Sequence, residues 1–403
     1  MKNLLRACCA LLFFIISDTA GQVPEATPPP RLQVPALPVA YPAGVPLNYI
    51  RTWQPSRAVR DVQALQQDGR ELWETRYFDG LGRSLQTVDK GKSPLRGDIV
   101  TIAIPETRGG QGREYLPFTF EGGNGRFRHL AFADQYRYWS TAQPQEQVFF
   151  GSKSHDPSPG RQVRKICAPG NSWQGNGRGQ SFLFPAHTKP DEVACWNTGL
   201  QEGALPMFAG MYETGALQKE VSVDENQRQQ VAYKDKEGRV VMRKVPVAAG
   251  AGNGHNGYAC TYFLFDPLGR LRYIFPPELV AVLVANGWKL SAALAADLAF
   301  RFEYDARGRK VTARTPGIPE TEYVYDARDR LVLQRSGNLR ATGRWMATGY
   351  DALNRPVLTG VLTTVLSGAA LRDWAGKNTI LPPGKLDTLT QTFYDHYRFP
   401  GAA

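Results

Sequence analysis

Cysteine is scarce in this 403-residue chain, five in all, and Cys8 and Cys9 fall within the first ten residues. The remaining Cys167, Cys195 and Cys260 are too few for a disulfide framework. Cys167 and Cys195 are a candidate pair across a moderate loop, with Cys260 left in a predicted strand. Histidine is as rare, five residues, with no Cys-x-x-Cys or His-x-x-x-His spacing, so no metal site is expected. No apolar run reaches the roughly 20 residues that cross a bilayer as a helix. No long Lys/Arg cluster runs free of interleaved acids, which removes the basic stripe of a nucleic-acid binder. Gly250-Ala251-Gly252-Asn253-Gly254 is not followed by Gly-Lys-Ser/Thr and has no βαβ setting; Gly175 to Gly179 reads the same way. Asp224 to Gln230 lacks the oxygen ladder of a calcium loop. No cofactor is expected.

What is present is globular: 42% hydrophobic and 21% charged residues, with a formal charge of +11. Gly (40) and Pro (29) together exceed their usual share of about 12%, which suits a chain of many tight turns. Residues 1–21 read as a secretory signal. Lys2 and Arg6 precede the uncharged run Ala7 to Ile16, and Thr19, Ala20 and Gly21 offer small residues for cleavage before Gln22. Residues 22–47 form a Pro-rich, nearly uncharged leader. The expected location is therefore secreted or cell-surface.

From Asn48 the chain turns aromatic, charged and turn-rich. Short alternating runs such as Glu322-Tyr323-Val324-Tyr325 have strand periodicity. One helical insertion is expected near 277–299. Pro276 and Pro277 open it, Leu279, Val280, Leu283 and Val284 share a face, Gly287 stops it, and Ser291 caps a second helix.

The strongest signal is a repeat: aromatic, Asp, two residues, then Gly/Asn/Asp and Arg. Its copies are Tyr77-Phe78-Asp79 with Gly82-Arg83; Tyr233, Asp235, Gly238, Arg239; Phe265, Asp266, Gly269, Arg270; and Tyr304, Asp305, Gly308, Arg309. Tyr325, Asp326, Asp329, Arg330 and Tyr350, Asp351, Asn354, Arg355 follow, and Tyr394-Asp395 begins a seventh. Each copy predicts a hairpin turn. The Asp carboxylate accepts from the backbone two residues on, and the Gly, Asn or Asp takes the left-handed conformation that closes a bulged type I turn. Arg then starts the return strand within reach of the Asp. Spacings of 21 and 25 between Asp305, Asp326 and Asp351 suit hairpins laid side by side.

These residues resemble the YD repeats of the Rhs family, Tyr-Asp, two residues, Gly-Arg-Leu/Val. Tyr77 to Val88, Tyr115 to Phe118, Ser158 to Arg161, Ala168 to Trp173, Lys236 to Val241, Pro276 to Glu278 and Tyr350 to Gly360 are similar to Rhs proteins of Bacteroidetes. In those proteins a domain of unknown function, DUF6443-like, precedes the repeats. The resemblance implies a mainly β fold of antiparallel hairpins forming part of an Rhs-type spiral β-sheet shell. On that reading 48–231 is the N-terminal Rhs-associated β domain and 232–403 a YD-repeat segment, stopping inside a repeat with no core or effector after it.

Chemistry is expected to be absent. Each repeated Asp is needed by its turn, and Ser154-His155-Asp156 is a local tripeptide in a loop rather than a triad assembled from separate segments. The leading expectation is a non-enzymatic exported shell, scaffold or surface-binding module, meeting a cell-surface glycan or a downstream Rhs core and effector polypeptide. Two others stand beside it: the N-terminal part of a polymorphic toxin carrier, and a secreted polysaccharide-active enzyme with two carboxylates outside the turns. Open sheet edges are expected to favour self-association.

Overall fold

The computed structural model describes residues 40–41, 44, 47–54, 72–104, 112–247 and 252–394. The signal at 1–21, most of the leader at 22–47, Gly250, Ala251, and the seventh copy from Asp395 onward lie outside the described residues. Within them the fold is mainly β, every named strand pairing is antiparallel, five helices are present and no barrel closes. The chain divides into two compact units. One runs to Phe182 and includes Val223–Gln227; the other comprises Leu183–Ser222 and the chain from Arg228.

In the first unit the strands Asn48–Gln54, Leu72–Phe78, Ser84–Lys90, Asp98–Ile102 and Phe118–Phe120 pair in that order. A second set pairs in the order Gln180–Leu183, Val163–Cys167, Phe150–His155, Gly112–Tyr115. Strand alternation sends Val100 and Ile102 into a core with Tyr77, Val88, Phe118, Phe132 and Phe150. Asp98 is buried on the same face and is satisfied there: its carboxylate accepts from Gly91 N–H at 3.1 Å and Gly125 N–H at 2.7 Å.

The helix Ala131–Ala142 was not expected from the sequence. Its buried face is Ala131, Phe132, Asp134 and Gln135, so two polar residues hide the apolar stripe. Both are used. Arg128 donates to Asp134 at 2.8 Å, and the Gln135 amide donates to the Phe149 carbonyl at 2.8 Å.

The second unit is a meander. Twelve strands, from Gln218–Val223 to Lys385–Gln391, each lie beside the next in the chain. A separate ribbon joins Ala194–Asn197 to Met207–Met211. The helical insertion comprises Pro277–Ala285 and Ala292–Leu298, between the strands Leu271–Phe275 and Phe300–Tyr304. Leu279, Val280 and Leu283 pack into a core with Tyr262, Tyr273 and Phe275, whereas Val284, expected on that face, is 42% exposed. Gly287 ends the first helix at φ 69°, and the Ser291 hydroxyl accepts from Leu294 N–H at 3.1 Å.

Two further helices, Gly337–Ala341 and Gly368–Lys377, sit between successive strands and were also not expected. The first is a single short turn. The second places only Leu371 and Ala375 in the core of Val324, Trp345 and Leu362, too few positions to register as a period.

Candidate functional site

The six motif copies fold into one geometry. In each, the Asp main-chain N–H donates to the Arg carbonyl, and the residue three after Asp donates back to the Asp carbonyl. That residue is left-handed every time: Gly82, Gly238, Gly269, Gly308, Asp329 and Asn354 lie at φ 62–78°. The Arg N–H reaches Asp Oδ1 at 2.8–2.9 Å, and Arg Nε reaches Oδ2 at 2.7–2.8 Å. Each pairing register shifts at the turn, the mark of a bulge. The backbone N–H of Arg83 and of Arg355, aided by their guanidiniums, holds Asp79 and Asp351 below the ordinary 3.8.

The aromatic position needs a distinction that the sequence pattern blurred. Phe78, Lys234, Phe265, Tyr304, Tyr325 and Tyr350 directly precede Asp and are all half-buried. Tyr77 and Tyr233 stand one residue earlier, so alternation turns them to the opposite, buried face. There Tyr77 donates to the Gly125 carbonyl at 3.0 Å and Tyr233 to Asp191 at 2.7 Å.

Within the second unit the half-buried set links one hairpin to the next. Arg239 lies 5.0 Å from the ring of Phe265, Arg270 5.3 Å from Tyr304, and Arg309 4.9 Å from Tyr325. Arg330 is 4.9 Å from Tyr350 and Arg355 4.5 Å from Tyr394, so the described part of the seventh copy makes the same contact. The tyrosine hydroxyls then donate to the carbonyl just after the preceding Arg: Tyr304 to Leu271, Tyr325 to Lys310, Tyr350 to Leu331 and Tyr394 to Pro356, at 2.9–3.0 Å.

The left-handed position also works across hairpins. Asp329 accepts from Arg307 and Arg309 at 2.7 Å each, and those two guanidiniums hold its carboxyl below the ordinary range. Asn354 accepts from Arg330 at 3.0 Å and Arg328 at 3.4 Å. A glycine would fit the backbone at both positions and lose these bonds.

Two similar turns escaped the pattern. Ser93 replaces Asp, its hydroxyl accepting from Gly97 N–H at 2.7 Å with Arg96 left-handed at φ 62°. Asp224 accepts from Asn226 N–H at 2.8 Å with Gln227 at φ 65°. Neither has an aromatic before it. The usable signal was a short side-chain acceptor three residues ahead of a left-handed position.

In the tripeptide Ser154-His155-Asp156, Asp156 accepts from Ser158 N–H at 3.2 Å and from Arg164 at 3.1 Å, closing a loop. The second unit contains a cavity of about 390 Å³ whose lining includes Cys195, Tyr212, Asp235, Arg239 and Asp266; both carboxylates belong to motif turns. A cavity of about 400 Å³ beside His255 and Cys260 has Glu192 as its one carboxylate, and one of about 260 Å³ beside Tyr273 has none. None of the three pairs two carboxylates outside the turns.

A buried polar network lies in the same unit. Asp191 accepts from Lys219 and from Tyr233 at 2.7 Å each and from Thr188 N–H at 2.9 Å. Burial opposes its ionisation, yet these donors, Lys219 foremost, bring its pKa down to about 2. Among the described residues no cluster of three or more His, Cys, Asp or Glu could hold a metal, and no helix is long and apolar enough to cross a membrane.

The expected Cys167–Cys195 bridge is not formed: Cys167, Cys195 and Cys260 are free thiols. Cys167 is buried at the end of a strand in the first unit, beneath Gly179, whereas Cys195 lies in the ribbon of the second. Each belongs to its own unit's packing.

Comparison with known proteins gives one domain-level match. The model of a domain of unknown function, DUF6443, matches residues 51–183. No curated protein matches the chain. Solved structures similar to it include TcdB2-TccC3, its TcdB2-TccC3-TEV form, and a Tc holotoxin pore of Photorhabdus luminescens. Each is 16% identical at a TM-score of 0.45, over 74% of this chain and 13% of the other. The chain thus spans about an eighth of those chains' length.

Proposed function

We propose that this chain is a non-enzymatic, exported structural segment: an Rhs-type strip of YD-repeat hairpins that serves as shell or scaffold behind a DUF6443 domain. The observation that carries the reading is the link, throughout the second unit, from each motif Arg to the aromatic of the next copy. Such a contact does nothing for a lone hairpin. It fixes one hairpin against the next, which is what a winding strip requires and a catalytic cleft does not. The three cavities fit this reading, since the only carboxylate pair among them is bound up in turns.

A scaffold of this kind is proposed to act with a partner that carries more of the same repeat, as the first part of a toxin carrier. The reading frame that follows this one should encode further Tyr-Asp repeats, and its product should co-purify with residues 22–403. An unrelated frame whose product does not bind would remove the carrier reading. Incubation with a panel of acidic and neutral polysaccharides should release no reducing ends above blank. Turnover would remove the non-enzymatic reading.

A further inference from the structure

The second unit holds two histidines that the hairpin ladder does not use, His187, buried, and His255, half-buried beside a cavity. Both lie where the segment from Thr188 to Ala194 is tied down. That segment is held by Asp191 on Tyr233 and Lys219, by Gly254 N–H on the Pro190 carbonyl at 2.9 Å, and by Ala194 N–H on the Tyr262 hydroxyl at 3.0 Å.

His255 Nε2 lies 2.8 Å from that same hydroxyl. The Tyr262 oxygen already accepts from Ala194, and with its own proton directed at Nε2 that nitrogen is the bare one of a neutral ring. Adding a proton to the imidazole sets N–H against O–H. The groups facing His255 give that proton no support. Lys244 is buried nearby, its ammonium donating to the Gly254 carbonyl at 3.0 Å and lying 4.5 Å from the Tyr258 ring. Cys260 is kept a neutral thiol, pushed up to about 11 by burial. Glu192, the carboxylate of the adjoining cavity, is solvent-exposed.

His187 is 1% exposed, stands edge-on to the Tyr233 ring at 5.8 Å, and neither ring nitrogen makes a hydrogen bond of normal geometry among the described residues. Facing it are Asp191, already occupied by Lys219, Tyr233 and Thr188, the Lys219 ammonium, and the backbone at Glu213.

We propose that the Thr188–Ala194 segment is an acid-sensitive latch, closed while His187 and His255 are neutral and released when they take up protons. Burial, then Lys244, lowers His255 to about 4; burial lowers His187, with Asp191 opposing. A base whose pKa is depressed by folding stabilises the closed form fully above its free value of 6.5, and that stability drains away as pH falls toward 4. Asp191 acts in a lower window, between 3.8 and about 2, so the two effects separate.

The test is amide exchange across 186–196, corrected for intrinsic rates, between pH 7 and pH 4.5, on the wild type and on a His187→Phe, His255→Gln double variant. The Gln oxygen can still accept from Tyr262. Protection of Ala194 should fall at least about tenfold in the wild type, and by less than about half that in the variant. An equal fall in both overturns the proposal. Should the double variant not fold, imidazole NMR titration of the wild type decides. Either ring titrating near 6.5 with Ala194 still protected overturns it, and both titrating below that free value as the protection is lost upholds it.

Discussion

The guanidinium of Arg309 lies 4.9 Å from the ring of Tyr325, which opens the next hairpin, and the Tyr325 hydroxyl donates to the carbonyl of Lys310, the residue after Arg309. The two contacts clamp neighbouring hairpins at their turn ends. One holds the ring face, the other the ring tip. Tyr325→Phe keeps the first and loses the second, and should cost about 1 kcal/mol in urea unfolding. Arg309→Lys should cost about 1–2 kcal/mol, since an ammonium cannot serve the Asp305 carboxylate and the ring together.

Asp326, like Asp266, is a motif carboxylate with no exposed side-chain surface. Asp326→Ala leaves the Arg330 guanidinium and two N–H groups without their acceptor and should cost about 3–5 kcal/mol. Asp326→Asn keeps Oδ1 for the two N–H groups and should cost distinctly less. Equal losses in equilibrium unfolding would mean that the ion pair, not the turn, sets the effect.

Asn354 separates backbone strain from side-chain bonding. Asn354→Gly relieves a left-handed φ of 63° while removing the bonds from Arg328 and Arg330, so its net effect should stay within about 0.5 kcal/mol. Asn354→Ala loses the bonds and keeps the strain, and should cost about 1–2 kcal/mol more than Gly. Chemical denaturation of the two variants side by side checks the order.

Tyr233→Phe deletes one donor to Asp191 and should cost about 2 kcal/mol at pH 7. The acid limb should move too. Asp191 has a depressed pKa in the folded state, so its contribution is present above 3.8 and lost as pH falls toward about 2. With one donor gone the folded value rises, the loss begins from a smaller total, and the curve between pH 4 and pH 2 should be shallower.

The cysteines give a chemical check on the two-unit description. Cys195 lines a cavity and is partly exposed, whereas Cys167 and Cys260 are buried. A thiol reagent on native residues 22–403 should modify Cys195 at least about tenfold faster than the others. All three should react after denaturation without reductant. Only one reacting thiol then would mean that Cys167 and Cys195 are paired.

The sequence made the hairpins legible because the turn chemistry is local: an acceptor, a left-handed position three residues on, and an Arg. What it left hidden depends on neighbours. Tyr77 and Tyr233 read as motif aromatics, but a one-residue offset sends a strand side chain to the other face. The helix Ala131–Ala142 was missed because Asp134 and Gln135 occupy its buried face. The turns at Ser93 and Asp224 lack the aromatic that flagged the rest. The Asp191 network joins residues up to 42 apart and has no local trace.

Successive hairpins of the second unit are joined energetically through Arg and the next aromatic. A double-mutant cycle on Arg309→Ala and Tyr325→Leu, read by urea unfolding, tests it most directly. A coupling of about 0.5–1.5 kcal/mol is predicted; additivity within about 0.3 kcal/mol would contradict it.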